Sequence, residues 1–201
     1  AHFIGENSIK GFDSTGYYYK STVNLFKFKI SYTSRKDFGT LVQRNLKGFF
    51  YRWKTEFKPE YFKTYSIAWQ FRVSKKSPVS DLTLSHSEIK DFIFFDNYSY
   101  SRQDTNIINF FSFNSNVHLL FGKGKWVSEN YLTYFIIPDT LSLRLPSMYL
   151  LNRIYYQNKI FSKKLPIQIG LDIRTISPFN ANQYNPVIQQ FYIQNEFALR
   201  D

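Results

Sequence analysis

Apolar and polar side chains alternate along several stretches of this chain, and that period of two is what most limits its fold. Over residues 49–57 the odd positions are Phe49, Tyr51, Trp53, Thr55 and Phe57, against Phe50, Arg52, Lys54 and Glu56. After Lys58-Pro59-Glu60 the pattern resumes. Tyr61, Tyr65, Ile67, Trp69, Phe71 and Val73 fall on one side, and Thr64, Ser66, Ala68, Gln70 and Arg72 on the other. Alternation of this kind sets one side of an extended strand in an apolar medium and the other in a polar one. The short break with its proline predicts that the two runs form a hairpin. Leu165, Ile167, Ile169, Leu171 and Ile173 alternate in the same way with Pro166, Gln168, Gly170, Asp172 and Arg174. Shorter series are Asn24, Phe26, Phe28, Ile30 and Tyr32; Leu141, Leu143 and Leu145; and Phe191, Ile193, Phe197 and Leu199. Breakers fall between the runs, at Ser77-Pro78, Gly122-Lys123-Gly124, Ser177-Pro178 and Asn185-Pro186. Residues 85–116 follow no clear period and read as a long loop or irregular insertion in a single domain of residues 1–201.

Composition agrees with strands. The 201 residues include 22 Phe, 16 Tyr and 3 Trp, but only four Ala, which disfavours a helical bundle. No Cys is present, so a disulfide scaffold and a thiolate-zinc domain are excluded. No apolar run approaches the roughly 20 residues of a transmembrane helix. The chain opens Ala1-His2-Phe3 without Met, as expected of a processed product or a fragment.

Two all-β architectures fit these strands. In a soluble sandwich the apolar faces meet each other; in a membrane barrel they meet lipid while the polar faces line the interior. Three observations favour the barrel. The readable strands reach the roughly 9–11 residues needed to cross a bilayer at a tilt. Full charges (Arg52, Lys54, Glu56, Arg72, Asp172, Arg174) stand in mid-strand, as a wet lumen permits. Tyr and Trp gather near strand ends, where an interfacial girdle uses them.

The end of the chain adds a resemblance. In residues 143–197 a Leu-Pro precedes a Tyr-rich strand, followed by the turn Ile160-Phe161-Ser162-Lys163-Lys164. Then come the strand Ile167-Gln168-Ile169-Gly170-Leu171-Asp172-Ile173-Arg174 and a loop with Asn182-Gln183-Tyr184-Asn185-Pro186 that leads into Phe191-Tyr192-Ile193-Gln194-Asn195. This ordered set, mainly within residues 141–201, resembles the putative porin family of Bacteroidetes outer membranes. The resemblance implies an antiparallel up-and-down transmembrane β-barrel in the bacterial outer membrane, passive passage of small solutes, and no catalytic residues or cofactor. Family members are usually longer, so this chain is expected to form a barrel or part of a larger one. Arg52, Lys54, Arg72, Gln168, Asp172 and Arg174 are then expected to face the lumen, and Trp53, Trp69, Ile167, Ile169 and Leu171 the lipid. The expected partners are outer-membrane lipid, small solutes and other envelope proteins. The alternative is a non-conducting barrel subunit of a larger assembly, with residues 85–116 docking or plugging.

Signatures of other chemistry are lacking. His2, His86 and His118 have no metal-ligand spacing. Gly122-Lys123-Gly124-Lys125 is too short for a phosphate loop, and no Gly-x-Ser-x-Gly occurs. No enzyme is expected. The net charge of +11 raises a third reading, a soluble basic β-domain that binds nucleic acid. Its basic residues are dispersed and no nucleic-acid motif is readable, so nucleic acid is not expected.

Overall fold

The computed structural model describes residues 2–8, 16–75, 77–138, 142–161 and 165–199. Strands β1 (His2–Ser8), β2 (Tyr17–Leu25) and β3 (Phe28–Asp37) lead to a one-turn helix, α1 (Leu41–Arg44), and a ribbon of β4 (Asn45–Lys47) and β5 (Arg52–Lys54). Next come β6 (Glu60–Phe71), β7 (Ser80–Lys90) and a second ribbon of β8 (Phe92–Phe95) and β9 (Ser101–Asp104). The long strands β10 (Ile108–Phe121), β11 (Trp126–Ile136), β12 (Met148–Ile160) and β13 (Leu165–Ile176) follow. A third ribbon, β14 (Gln183–Asn185) with β15 (Gln190–Tyr192), ends the series.

Nine strands form one antiparallel sheet in the order β1-β2-β3-β6-β7-β10-β11-β12-β13. With an odd number of alternating strands, β1 and β13 run in the same direction. No ladder joins them among the described residues, so the sheet is open.

Register aligns the separate alternations into two continuous faces. Direct partners run Val23, Ile30, Ile67, Leu84, Phe113, Tyr134 and Met148 across seven strands. One residue along, the partners are Thr22, Ser31, Ser66, Ser85 and Ser112. The large apolar residues of the first face stand exposed, and no second sheet covers them among the described residues. The second face holds most of the sheet's buried groups, among them Thr22, Ser85, Ile89, Ile108, Ser112 and Val127, while the buried groups of the first face are the small hydroxyls of Ser34, Ser80 and Ser128. This reverses a soluble fold, where apolar faces are the covered ones. Asn130 and Asn152 interrupt the apolar face; there the Asn152 amide donates to Asn130 Oδ1 at 2.7 Å.

The two ends of the sheet differ. At one end the connections are short: residues 26–27, 72–79, 122–125 and 161–164. At the other they are long: residues 38–59, 91–107 and 137–147, with residues 177–199 beyond β13. The long segments pack into a cap. Its centre is Trp53, whose indole N–H lies 2.9 Å from the Val42 carbonyl and 3.1 Å from that of Gln43. The Trp53 ring touches Tyr51, Phe95 and Tyr100. Asn185 donates to the Tyr51 hydroxyl at 3.1 Å and to Ser99 Oγ at 2.9 Å. The cap leans on the second face: the Ile93 N–H donates to the Glu60 carboxylate at 2.8 Å, and below it the opposed pair Ile89 and Ile108 is buried.

Several expectations change. Residues 49–57 do not form a hairpin with β6, which pairs instead with β3 and β7; only Arg52–Lys54 is extended, against β4. The 24–32 series folds back on itself at Phe26-Lys27, where Leu25 faces Phe28 and Phe26 adopts a φ of 54°. Residues 85–116 are not one loop. Their ends belong to the paired strands β7 and β10, and only 91–107 is inserted. Leu143 and Leu145 lie in an irregular connection, while Leu141 and the Ser162-Lys163-Lys164 turn lie outside the described residues. Of residues 191–199, only Phe191 and Tyr192 are in a strand, in the third ribbon.

Gly170 is required where β13 passes β12. A Cβ there would lie 2.4 Å from Tyr155 Cβ and 2.5 Å from the Ile154 carbonyl oxygen. Gly170→Val should therefore destabilise the fold by about 1–3 kcal/mol through overpacking, read as a lower urea midpoint of the purified protein in detergent.

Candidate functional site

The polar face of the sheet is where chemistry-bearing side chains converge. Its best-defined part spans β10 to β13. Arg153 on β12 sits between two carboxylates, with Nε 3.3 Å from Asp172 on β13 and a terminal guanidinium nitrogen 3.8 Å from Glu129 on β11. Register places these three side by side, since Arg153 is the direct partner of both Glu129 and Asp172. The Tyr155 hydroxyl donates to Glu129 at 3.1 Å, and that of Tyr131 contacts the same carboxylate at 3.5 Å. His118 on β10 faces Glu129, and its ring meets Tyr131 edge-on with centroids 5.8 Å apart. Two residues before His118 on the same strand, Asn116 donates to its direct partner Asp81 on β7 at 3.3 Å.

Glu129, Arg153, Tyr155, Gln168, Gly170 and Asp172 line an open groove of about 380 Å³. Gly170 is its floor, because the missing side chain lets β13 lie against Tyr155 Cβ on β12. The groove presents fixed charges of both signs, hydroxyls and an amide. It can contact a polar solute by hydrogen bonding and charge. No group of three or more His, Asp or Glu stands together as a metal set among the described residues.

The residues predicted from sequence divide into two sets. Gln168, Asp172 and Arg174 share the face of Arg153, opposite Ile167, Ile169 and Leu171, whose direct partners are Asn158, Tyr156 and Ile154. Ile169 and Leu171 are 71% and 73% exposed. Trp69 lies on that same apolar face, opposite Phe28 and Leu82. Arg72 stands one residue past the end of β6, in the short connection to β7. Arg52, Trp53 and Lys54 are not on the main sheet at all. They belong to the cap, where Trp53 is packed among rings and held by two carbonyls rather than turned to the outside. An extended segment with one packed side shows the same alternation as a wall strand, which is why the sequence misleads there. Glu129, Arg153, Tyr131 and Tyr155 were not legible, because β11 and β12 mix polar and apolar residues on both faces.

Aromatic rings band the apolar face. Toward the long-loop end, Tyr19, Tyr32, Tyr65, His86 and Phe111 touch in sequence across five strands, with centroid distances of 6.1, 4.9, 6.4 and 4.8 Å. Toward the short-turn end Trp69 stacks on Phe71, and Trp126 contacts Phe121 and Tyr156. No described helix is long and apolar enough to cross a membrane, which leaves strands unaddressed.

The model of a family described as putative porin matches residues 1–200, well beyond the last quarter in which motifs are readable. No curated protein and no solved structure matches the chain.

Arg153 is the shared cation of the groove. Arg153→Met should lower stability by about 1 kcal/mol, since the pair is partly solvated, while Asp172→Asn should change it by less than about 0.5 kcal/mol. Urea unfolding of both variants checks the order.

Proposed function

The chain belongs to the putative porin family, and from that premise we propose that its sheet is the wall of an outer-membrane β-barrel past which small polar solutes diffuse without an energy source. The observation that carries the reading is the reversed burial of the two faces, with apolar residues outward and polar ones inward. Strands of 9 to 14 residues in β2, β3, β6, β7 and β10 to β13 suit a tilted crossing of the hydrocarbon layer. Two aromatic bands at different heights fit the two interfaces, and short turns at one end with long loops at the other fit the periplasmic and external sides. In this reading the Glu129–Arg153–Asp172 groove lines the path and sets its polarity. Open edges are costly in lipid, so the barrel closes through pairing of β1 and β13 with strands that satisfy them.

One feature favours a second reading, a non-conducting subunit of an envelope assembly. The cap covers the long-loop end of the polar face and ties four segments together, as a plug or docking platform would. Planar-bilayer recording separates the two. Ohmic steps support the solute path, and a silent insertion that co-purifies with envelope proteins supports the assembly role.

Face assignment has its own test. Ile169→Arg should destabilise the protein by about 2–4 kcal/mol in bilayers, as a charge on the lipid side does. Gln168→Arg, one residue away, should stay within about 0.5 kcal/mol. Equal tolerance of both, measured by urea unfolding in vesicles, would count against the orientation.

A further inference from the structure

The net charge of this protein is concentrated at one end. The connections at the short-turn end and the adjoining strand ends are residues 26–29, 69–79, 121–127 and 156–167. They hold ten of the 26 basic residues and none of the 15 acidic ones, which leaves 16 basic against 15 acidic in the rest of the chain. In the structure Lys27, Arg72, Lys75, Lys123, Lys125 and Lys159 are exposed there, and no ion pair among the described residues uses them. The ion pairs among the described residues all lie elsewhere: Arg35 with Asp37, Lys63 with Glu88, Arg102 with Asp96, and Arg153 with Glu129 and Asp172.

The same end carries exposed apolar rings. Phe26 is 107% exposed at the tip of its turn and Phe161 is 73% exposed. Trp69, Phe121 and Trp126 stand behind them on the apolar face. A basic rim beside a belt of Trp and Phe matches the boundary where acyl chains give way to phosphate. Rings of this type settle at the headgroup level, and Lys or Arg beside them gains from anionic lipid.

Resting on the reading of the sheet as a membrane wall, we propose that this rim is a binding surface for anionic phospholipid headgroups. Lys27, Arg72, Lys75, Lys123 and Lys125 contact phosphodiesters while Phe26, Phe161, Trp69 and Trp126 sit among the first acyl carbons. The rim recruits a shell of anionic lipid around the short-turn end and fixes the depth at which the sheet sits.

Two of the three tryptophans, Trp69 and Trp126, lie at this end and report on it directly. Full-length protein is reconstituted in phosphatidylcholine vesicles with increasing phosphatidylglycerol, and tryptophan quenching by brominated forms of each lipid is compared. Quenching by brominated phosphatidylcholine is expected, and brominated phosphatidylglycerol should compete about fivefold better at low salt. That preference should fall toward unity in high salt, and also when Lys27, Arg72, Lys75, Lys123 and Lys125 are all replaced by Gln. Quenching by both lipids with no preference in the parent, or a preference that salt leaves unchanged, overturns the lipid surface and leaves the membrane wall standing. Quenching by neither overturns the membrane wall and this surface with it. The salt titration uses the parent protein, so the result holds even if the fivefold variant fails to fold.

Discussion

Strands display side chains with a period of two, so the register of every hydrogen-bonded pair decides whether separate alternations add up to a surface or cancel. Here they add. The row from Val23 to Met148 and the Thr22-to-Ser112 row beside it differ by a single residue. A slip of one position in any ladder would put leucines among serines on both sides of it. The exposed apolar face, the polar groove and the aromatic bands all inherit their continuity from this alignment, and none is a property of one strand.

That dependence also explains what could be read in advance. β13 and most of β6 were legible because their alternation is strict and unbroken. β11 and β12 were not. Ser128, Asn130 and Asn152 stand on the apolar face, and Val127 and Leu151 on the polar one, so neither strand shows a clean period. Their facing is settled by the neighbours they pair with, which a local pattern does not contain. The turn at Phe26-Lys27 was hidden for a different reason. It has none of the Gly, Asn or Asp residues that usually mark a two-residue hairpin, and a phenylalanine takes the left-handed position. Trp53 shows the opposite failure, a convincing alternation in a segment that belongs to the cap. The soluble sandwich, open as long as only single strands were considered, does not accord with an apolar face that lacks a second sheet among the described residues.

The molecule is also strongly polarised along the strand direction. Its short-turn end is basic and fringed by rings, while its long-loop end is nearly charge-balanced and internally cross-linked. Asp96 pairs with Arg102, the Ser142 hydroxyl donates to Asp104 at 2.6 Å, and Arg144 donates to Asn195 at 2.7 Å. One end is built to meet its surroundings and the other to hold itself together. The apolar face between them tolerates Asn130 and Asn152 because the two amides bond to each other.

The connectivity of the sheet bears on how it can assemble. Every ladder joins strands that are consecutive within the sheet, so each pairing step closes only one connection, from 2 residues at Phe26-Lys27 to 22 across residues 38–59. Loop-closure entropy stays low at every step, and the sheet can be laid down one hairpin after another. The contact between Asn185 and Tyr51 spans 134 residues. Six strands of the sheet lie between its two ends, so this fastening of the cap carries a loop-closure cost that no single hairpin step does.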